Sequence, residues 1–245
     1  MLAAAMLFAT QFASATLFVP NSASDTSLVT IGDDFSSSAL GLNFGFQFFG
    51  NSYAKTYMGS NGYLTFGAAS NAYSNGSSAS PNGSPAISAL FDDLQIYKQG
   101  TMRYNNTRNA EFTATWQDIG SYSPRVDNAA TFQVTLLGAG NRFGLANGTV
   151  VVSYDYINGN KLSSNAATAG ISNGSTTIAY NGSANGYIGN GAATENALAG
   201  KQFFYTPKGN SYTVSTISPV PEPETYALMG MGLLGLLAVR RRKFK

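Results

Sequence analysis

The stretch Leu42-Asn43-Phe44-Gly45-Phe46-Gln47-Phe48 decides the fold. Large apolar residues occupy every second position, and small or polar residues fill the positions between them. Because side chains alternate between the two faces of a β-strand, this pattern predicts a strand with one buried face. The same period recurs in residues 112–116, 132–136 and 150–156. Trp116 is in phase with Phe112 and Ala114, so we expect its indole ring in the core.

Asn-Gly steps lie between the alternating segments, at positions 61, 75, 82, 147, 158, 173, 181, 185 and 190. Asn and Gly tolerate the positive φ angles that tight hairpin turns require. We therefore expect an all-β domain over residues 16–218, built as an antiparallel β-sandwich or jelly-roll-like fold of about ten to thirteen strands. No helix of useful length is expected between residues 16 and 216.

The composition removes several function classes. The 245 residues include no Cys and no His, which excludes disulfides, a Cys/His zinc site, a Ser-His-Asp triad and a Cys nucleophile. Five of the 14 Lys and Arg residues lie in residues 240–245, whereas residues 16–219 hold nine cations and ten acids. That body carries a net charge of −1, so we expect no nucleic-acid partner.

Carboxylates remain as candidates for chemistry. Asp33, Asp34, Asp92 and Asp93, together with Asp127, offer the hard oxygen ligands that Ca²⁺ prefers, so calcium is the one cofactor that the sequence suggests. Alternatively, these are turn residues that bond nearby backbone N–H groups. Glycoside cleavage needs two facing carboxylates roughly 5–10 Å apart, but Asp92 and Asp93 would point to opposite faces of a strand.

The first 15 residues form an apolar run that ends in Ala13-Ser14-Ala15. A short apolar segment followed by a small-x-small pattern is typical of a secretory signal peptide. We expect an N-terminal signal helix with cleavage between Ala15 and Thr16, the alternative being a short buried helix. No Lys or Arg precedes the apolar run.

The last 27 residues, 219–245, have three parts. Prolines at 219, 221 and 223 stiffen the first part, and an uncharged apolar run over residues 226–239 follows. Arg240, Arg241, Arg242 and Lys243 then form a basic stop. The apolar run would span roughly 21 Å as a helix, against a hydrocarbon core of about 30 Å. Its all-round hydrophobicity and basic end favour a single membrane helix over residues 225–239 rather than a buried globular helix.

Val220-Pro221-Glu222-Pro223, the apolar run and the terminal Arg cluster together resemble the PEP-CTERM sorting signal. The resemblance implies an exported protein of a Gram-negative, exopolysaccharide-making bacterium, held at the inner membrane by its C-terminal helix. It further implies recognition by an exosortase, a membrane-embedded cysteine protease or transpeptidase. Cleavage between residues 221 and 223 would then release the chain or transfer it to the cell surface.

A second resemblance covers residues 41–174. Five segments occur in order: Phe44-Gly45-Phe46-Gln47-Phe48-Phe49-Gly50, Asn61-Gly62-Tyr63-Leu64-Thr65-Phe66-Gly67, Ala89-Leu90-Phe91-Asp92-Asp93-Leu94, Ala130-Thr131-Phe132-Gln133-Val134-Thr135-Leu136 and Ala169-Gly170-Ile171-Ser172-Asn173-Gly174. Their order and spacing are similar to the nidogen-like (NIDO) extracellular domain. The cysteines of that family are missing here. The resemblance implies a matrix or adhesion setting and no defined reaction.

We therefore expect a non-enzymatic surface or matrix protein with a structural or adhesive role, whose partners are exopolysaccharide or other surface proteins. The alternative is a carbohydrate-binding module, which the aromatic content of 13% suggests. A glycosidase is the third hypothesis.

Overall fold

Fifteen strands form two antiparallel sheets in the computed structural model, which describes residues 17–28, 33–74, 78–96, 100–122, 126–162, 167–189 and 191–217. The eight-stranded sheet contains β1 (Thr26–Leu28), β6 (Leu94–Gln95), β7 (Thr101–Asn105), β8 (Glu111–Ser121), β9 (Val126–Leu137), β10 (Thr149–Ile157), β14 (Gln202–Lys208) and β15 (Ser211–Ile217). The seven-stranded sheet contains β2 (Leu40–Phe48), β3 (Asn51–Gly59), β4 (Tyr63–Thr65), β5 (Ala86–Phe91), β11 (Ala167–Ser172), β12 (Thr177–Ala179) and β13 (Tyr187–Gly189).

Most neighbouring strands are also neighbours in sequence, so each sheet is largely a meander. One sheet follows the order β1-β7-β8-β9-β10-β14-β15, with β6 beside β8, and the other the order β12-β11-β5-β4-β3-β2, with β13 beside β11. The predicted all-β antiparallel sandwich is confirmed. The strands outnumber the expected ten to thirteen because β1, β6, β12 and β13 have only two or three residues, too few for alternation to be recognised.

Strand β2 contains the quoted stretch and departs from strict alternation at one point. Leu42, Phe46 and Phe48 are buried as expected, but Phe44 is only half-buried. Asn43 adopts a φ of 59°, and the pairing with β3 shifts register between Gly41 and Phe46. This bulge turns Phe44 toward the rim of the core, where its ring covers Gly138: a Cβ there would lie 2.5 Å from a ring atom.

The core lies between the two sheets and includes Trp116, which is fully buried as predicted. Its ring stacks on Phe132 with centroids 5.0 Å apart. Its Nε1–H crosses the core and donates to the Gly59 carbonyl at 2.9 Å. The Tyr154 hydroxyl likewise donates to the Ala89 carbonyl of the opposite sheet. These bonds satisfy polar atoms that would otherwise be costly to bury.

One short helix, α1 (Ala192–Leu198), of seven residues, lies in the region where no helix of useful length was expected. It carries good helix formers inside a segment whose Gly and Asn content predicted only loops. Leu198 is buried, and the Thr194 hydroxyl donates to the Gly189 carbonyl at 3.0 Å. Two 3₁₀ turns, Pro81–Gly83 and Gly159–Lys161, are also present. Within the ranges given above, no helix has the length and hydrophobicity needed to cross a membrane.

The first described residues form a strap over the outer face of the eight-stranded sheet. Phe18 N–H donates to Ser153 Oγ at 3.1 Å, and the Phe18 ring packs on Phe143 with centroids 4.5 Å apart. Val19 makes two main-chain bonds to one buried side chain: its N–H donates to Gln133 Oε1 at 3.0 Å, and its carbonyl accepts from Gln133 Nε2 at 2.9 Å. The Gln133 side chain therefore makes the two hydrogen bonds to Val19 that the backbone of an adjacent strand would make.

Replacing Gln133 by Ala tests the strap. We expect Gln133→Ala to lower the free energy of unfolding by about 2 kcal/mol, because the buried N–H and C=O of Val19 both lose their partners. The measurement is urea denaturation of the full chain in mild detergent. Gln117→Ala is the matched control. Gln133 pairs with Thr115 of β8, and Gln117 lies two positions further along β8, so both glutamines are on the same face of the sheet. Gln117 also bonds the first described segment, through Asn21, but that bond is exposed. The control should lose no more than about 0.5 kcal/mol; equal losses in the two variants would contradict the strap's role.

Candidate metal centre

Three of the predicted calcium ligands converge in the structure. Asp33 and Asp34 lie between β1 and β2, and Asp93 lies in the two-residue link between β5 and β6. One carboxylate oxygen from each of the three lies within 4.8 Å of the other two, and all three residues are half-buried. No second group of three potential metal ligands this close occurs in the described part of the chain. We call these residues the Asp33–Asp34–Asp93 cluster.

The fully buried side chain of Asn61 holds the cluster together. Its Nδ2 donates to Asp34 Oδ1 at 2.8 Å and to the Ala72 carbonyl at 3.1 Å. Its Oδ1 accepts the Leu94 N–H at 2.8 Å. One amide thus links the segment of Asp34 to the residue that follows Asp93. The sequence predicted Asn61 only as one turn residue among nine Asn-Gly steps; its burial was the missing information.

Gly62, the residue after Asn61, packs the chain closely against strand β5. Its carbonyl accepts the N–H groups of Ala89 and Leu90 at 3.0 and 3.1 Å. It has a φ of 80°, and a Cβ there would lie only 2.0 Å from the Leu90 carbonyl oxygen. Only glycine combines this conformation with such close packing. The Asn61-Gly62 step is therefore a turn that also joins Asp34 of the cluster to strand β5.

Tyr63 supports the loop beside the cluster. Its hydroxyl lies 3.0 and 2.9 Å from the carbonyl oxygens of Ser70 and Ala72, which share its single O–H donor. Burial, and to a smaller extent the negative charge of Asp34, raise the pKa of Tyr63 to about 12. The phenol therefore stays a neutral donor at physiological pH.

Asp93 is the electrostatically strained member of the cluster. Burial, followed by the charges of Asp33 and Asp34, raises the pKa of Asp93 from 3.8 to about 6. Like charges at short range disfavour the ionised form. A proton or a cation would relieve this repulsion, and Asp93 is the group whose charge state responds to either.

The donor set is compatible with Ca²⁺ but incomplete. Ca²⁺ takes six to eight oxygen ligands, and three carboxylates supply three to six of them, depending on bidentate binding. Asn61 Oδ1 already accepts the Leu94 N–H, which leaves one lone pair on that oxygen. Further ligands would have to be this oxygen, backbone carbonyls or water. The calcium site therefore stays a prediction, now narrowed to the Asp33–Asp34–Asp93 cluster.

The remaining predicted acids lie elsewhere. Asp92 is 1% exposed, is not a member of the cluster, and accepts the Asp93 N–H on Oδ1 at 2.9 Å. The Asp127 side chain lies outside the described residues. Glu111, also 1% exposed, pairs with Arg142 at 2.8 Å and with Arg108 at 3.4 Å, which indicates a structural role.

The predicted processing sites lie outside the described residues. They are Ala15 and Thr16 of the signal cleavage site, Val220, Pro221, Glu222 and Pro223 of the sorting motif, and Arg240, Arg241, Arg242 and Lys243 of the basic stop. The signal helix over residues 1–15 and the membrane helix over residues 225–239 also lie there.

The raised pKa of Asp93 predicts a pH-dependent stability. A carboxyl group with a raised pKa in the folded state favours folding when protonated, so this contribution is lost as pH rises from about 4 to about 6. Asp93→Asn should match the wild-type melting temperature at pH 4 and exceed it at pH 7.5. The measurement is thermal unfolding of the full chain across this range in a chelator. A constant difference between the two chains at all pH values would contradict the assignment.

Calcium should stabilise the wild-type chain at neutral pH. Saturation by a ligand at about 100 times its Kd adds about 2.7 kcal/mol, which for a domain of this size raises Tm by on the order of 5 °C. Asp93→Asn should lose most of this rise, and Mg²⁺ at equal concentration should produce less of it. An equal rise in the variant, or none in the wild type, would remove the calcium prediction.

Comparison with known protein families gives two matches, which together span most of the chain. The family model described as NIDO related matches residues 10–213, which extends on both sides of the segment 41–174 where the resemblance was seen. The model described as PEP-CTERM protein-sorting motif matches residues 219–243. Neither the comparison with curated proteins nor that with solved structures gives a match.

The sorting motif implies export, recognition by an exosortase, and a membrane-anchored precursor in a Gram-negative bacterium. The match to the NIDO-related model covers more than half of the 245 residues. The chain belongs to the NIDO-related family and carries a PEP-CTERM sorting motif behind its β-domain.

Proposed function

We propose that this chain is a non-catalytic surface or matrix scaffold with a structural or adhesive role, delivered by exosortase sorting. The observation that carries the proposal is the adjacency of the two matched regions. The last strand, β15, ends at Ile217, and the sorting motif begins at residue 219. Cleavage within the motif would therefore free the β-sandwich itself, with no further domain between them.

The chemistry of the acidic groups supports a non-catalytic role. One carboxylate oxygen from each residue of the Asp33–Asp34–Asp93 cluster lies within 4.8 Å of the other two, just below the roughly 5–10 Å that separates the paired carboxylates of glycosidases. Glu111 is neutralised by two arginines. These two features argue against the glycosidase hypothesis. The absence of His and Cys argues separately against triad and thiol catalysis.

A carbohydrate-binding module remains the second candidate. Fewer aromatic side chains are exposed to a ligand than the aromatic content of 13% suggested. Among the described residues, most Phe and Tyr side chains pack in or against the core. The exposed aromatic side chains of the described residues are Tyr73, Tyr122 and Tyr187. Tyr122 is adjacent to the cluster, because its N–H donates to the Asp93 carbonyl at 3.0 Å. Stacking on sugars would depend on these three rings.

A complementation assay tests the scaffold role. A host strain that possesses an exosortase and lacks this chain should show reduced cell–cell aggregation, and the wild-type chain should restore it. A chain with Glu222→Ala and Pro223→Ala should restore little, because the β-sandwich would stay on a membrane-anchored precursor. Intact mass of the recovered protein reports processing at both ends, and thermal unfolding confirms that the β-sandwich remains folded.

Two results would contradict the proposal. One is aggregation that does not depend on the wild-type chain. The other is depolymerisation of the host polysaccharide by the purified chain, with the activity lost in a folded Asp34→Asn variant. Asn suits this exchange because it tolerates the φ of 43° at position 34.

A further inference from the structure

A pocket of about 370 Å³ lies at one end of the sandwich, where the turns of both sheets meet. The β2–β3 turn contributes Gln47 and Phe49, the β14–β15 turn contributes Asn210, and Asn147 precedes β10. Tyr212 closes the pocket toward the core. Its volume is at the small end of the range for ligand sites.

Tyr212 gives this pocket a fixed frame. Its hydroxyl lies 3.1 Å from the carbonyl oxygen of Gln47 in one sheet and 3.1 Å from that of Gly148 beside the other, and the two carbonyls share its single O–H donor. Its ring packs edge-on against Phe49 with centroids 4.9 Å apart. Burial raises the pKa of Tyr212 well above its ordinary value, so it remains a neutral donor. The two sheets therefore cannot separate at this end without breaking these contacts.

The polar groups of the wall are uncharged amides. Gln47, Asn147 and Asn210 line the pocket, and no charged side chain does. Each amide offers both donors and an acceptor, which matches hydroxyl groups, since these also donate and accept. A carboxylate, phosphate or metal ion would find no opposite charge to replace its hydration. The wall therefore suits a neutral, hydroxyl-rich ligand.

Asn147 supplies an acceptor without a partner. Its Oδ1 is buried and makes no hydrogen bond within the described residues. Because this oxygen is not accessible to solvent, a ligand in the pocket can bond it only after the Asn147 side chain turns toward the pocket. A buried acceptor left unbonded costs free energy, so a donor in the pocket favours that turn. Asn210 packs closely against Gly50, because a Cβ at position 50 would lie 2.6 Å from Asn210 Oδ1.

We infer that this pocket binds one end or one short stretch of a neutral saccharide. The Asn147 side chain turns toward the pocket so that its Oδ1 accepts a sugar hydroxyl, and the amides of Gln47 and Asn210 bond the neighbouring hydroxyls. The site is separate from the exposed tyrosines and from the Asp33–Asp34–Asp93 cluster. It goes beyond the scaffold role, which stands with or without a saccharide ligand.

The test is a glycan array of immobilised neutral hexose and N-acetylhexosamine oligosaccharides, followed by calorimetry on the best binder. Oligogalacturonates and their fully methyl-esterified forms are a matched pair with the same sugars and linkages, in which only the acidic member is charged at carbon 6. The full wild-type chain in detergent should bind a neutral oligosaccharide saturably and the acidic counterpart more weakly. Asn147→Ala should lower the affinity about fivefold, the effect of one lost hydrogen bond.

Asn185→Ala is the matched control, because Asn185 also precedes a glycine, is exposed, and does not line the pocket. It should bind as the wild type does. Asn210→Ala, an exposed turn position, provides a second pocket variant if Asn147→Ala unfolds. The inference is overturned if no neutral oligosaccharide binds, if acidic ones bind better, or if folded pocket variants bind as tightly as the control. The aggregation assay is independent of these outcomes, so failure of the pocket and failure of the scaffold role are distinguishable.

Discussion

Three hydrogen bonds across the core hold the two sheets in register. In each, an aromatic side chain of the eight-stranded sheet donates to a backbone carbonyl of the seven-stranded sheet: Trp116 to Gly59, Tyr154 to Ala89 and Tyr212 to Gln47. Indole and phenol groups bring one polar atom each into an apolar layer, and leaving that atom unbonded would be costly. The sheets must therefore face each other so that every donor meets its carbonyl, a more specific constraint than apolar packing.

Both sites depend on this constraint. Trp116 holds the end of β3 at Gly59, and the chain then continues through Ser60 to Asn61, the residue that organises the acidic cluster. Ser60 and Phe35 exchange two hydrogen bonds of 2.9 and 2.8 Å, which positions the segment after Asp34. At the other end, Tyr212 joins the turns that form the amide-lined pocket. The position of the acidic cluster therefore depends on the Trp116–Gly59 bond, and that of the pocket on the Tyr212–Gln47 bond.

The limits of sequence reasoning are clear at particular residues. Alternation located the long strands β2, β8, β9 and β10, because each has a continuous buried face. It missed the bulge at Asn43, which depends on the partner strand, and helix α1, whose few Ala and Leu residues lie among Gly and Asn. The three aspartates were named from their ligand chemistry alone. Asn61 was not singled out, because nothing local distinguishes a buried Asn-Gly turn from an exposed one.

The sequence by itself determined the fold class, the exclusion of His and Cys chemistry, and the sorting motif, since each of these rests on local order or on composition. Only the tertiary structure decided that Asp93 joins Asp33 and Asp34 while Asp92 does not, and that Gln47, Asn147 and Asn210 share one wall. These groups are separated by tens of residues along the chain. Their proximity follows from strand pairing and from the facing of the two sheets, which no local pattern specifies.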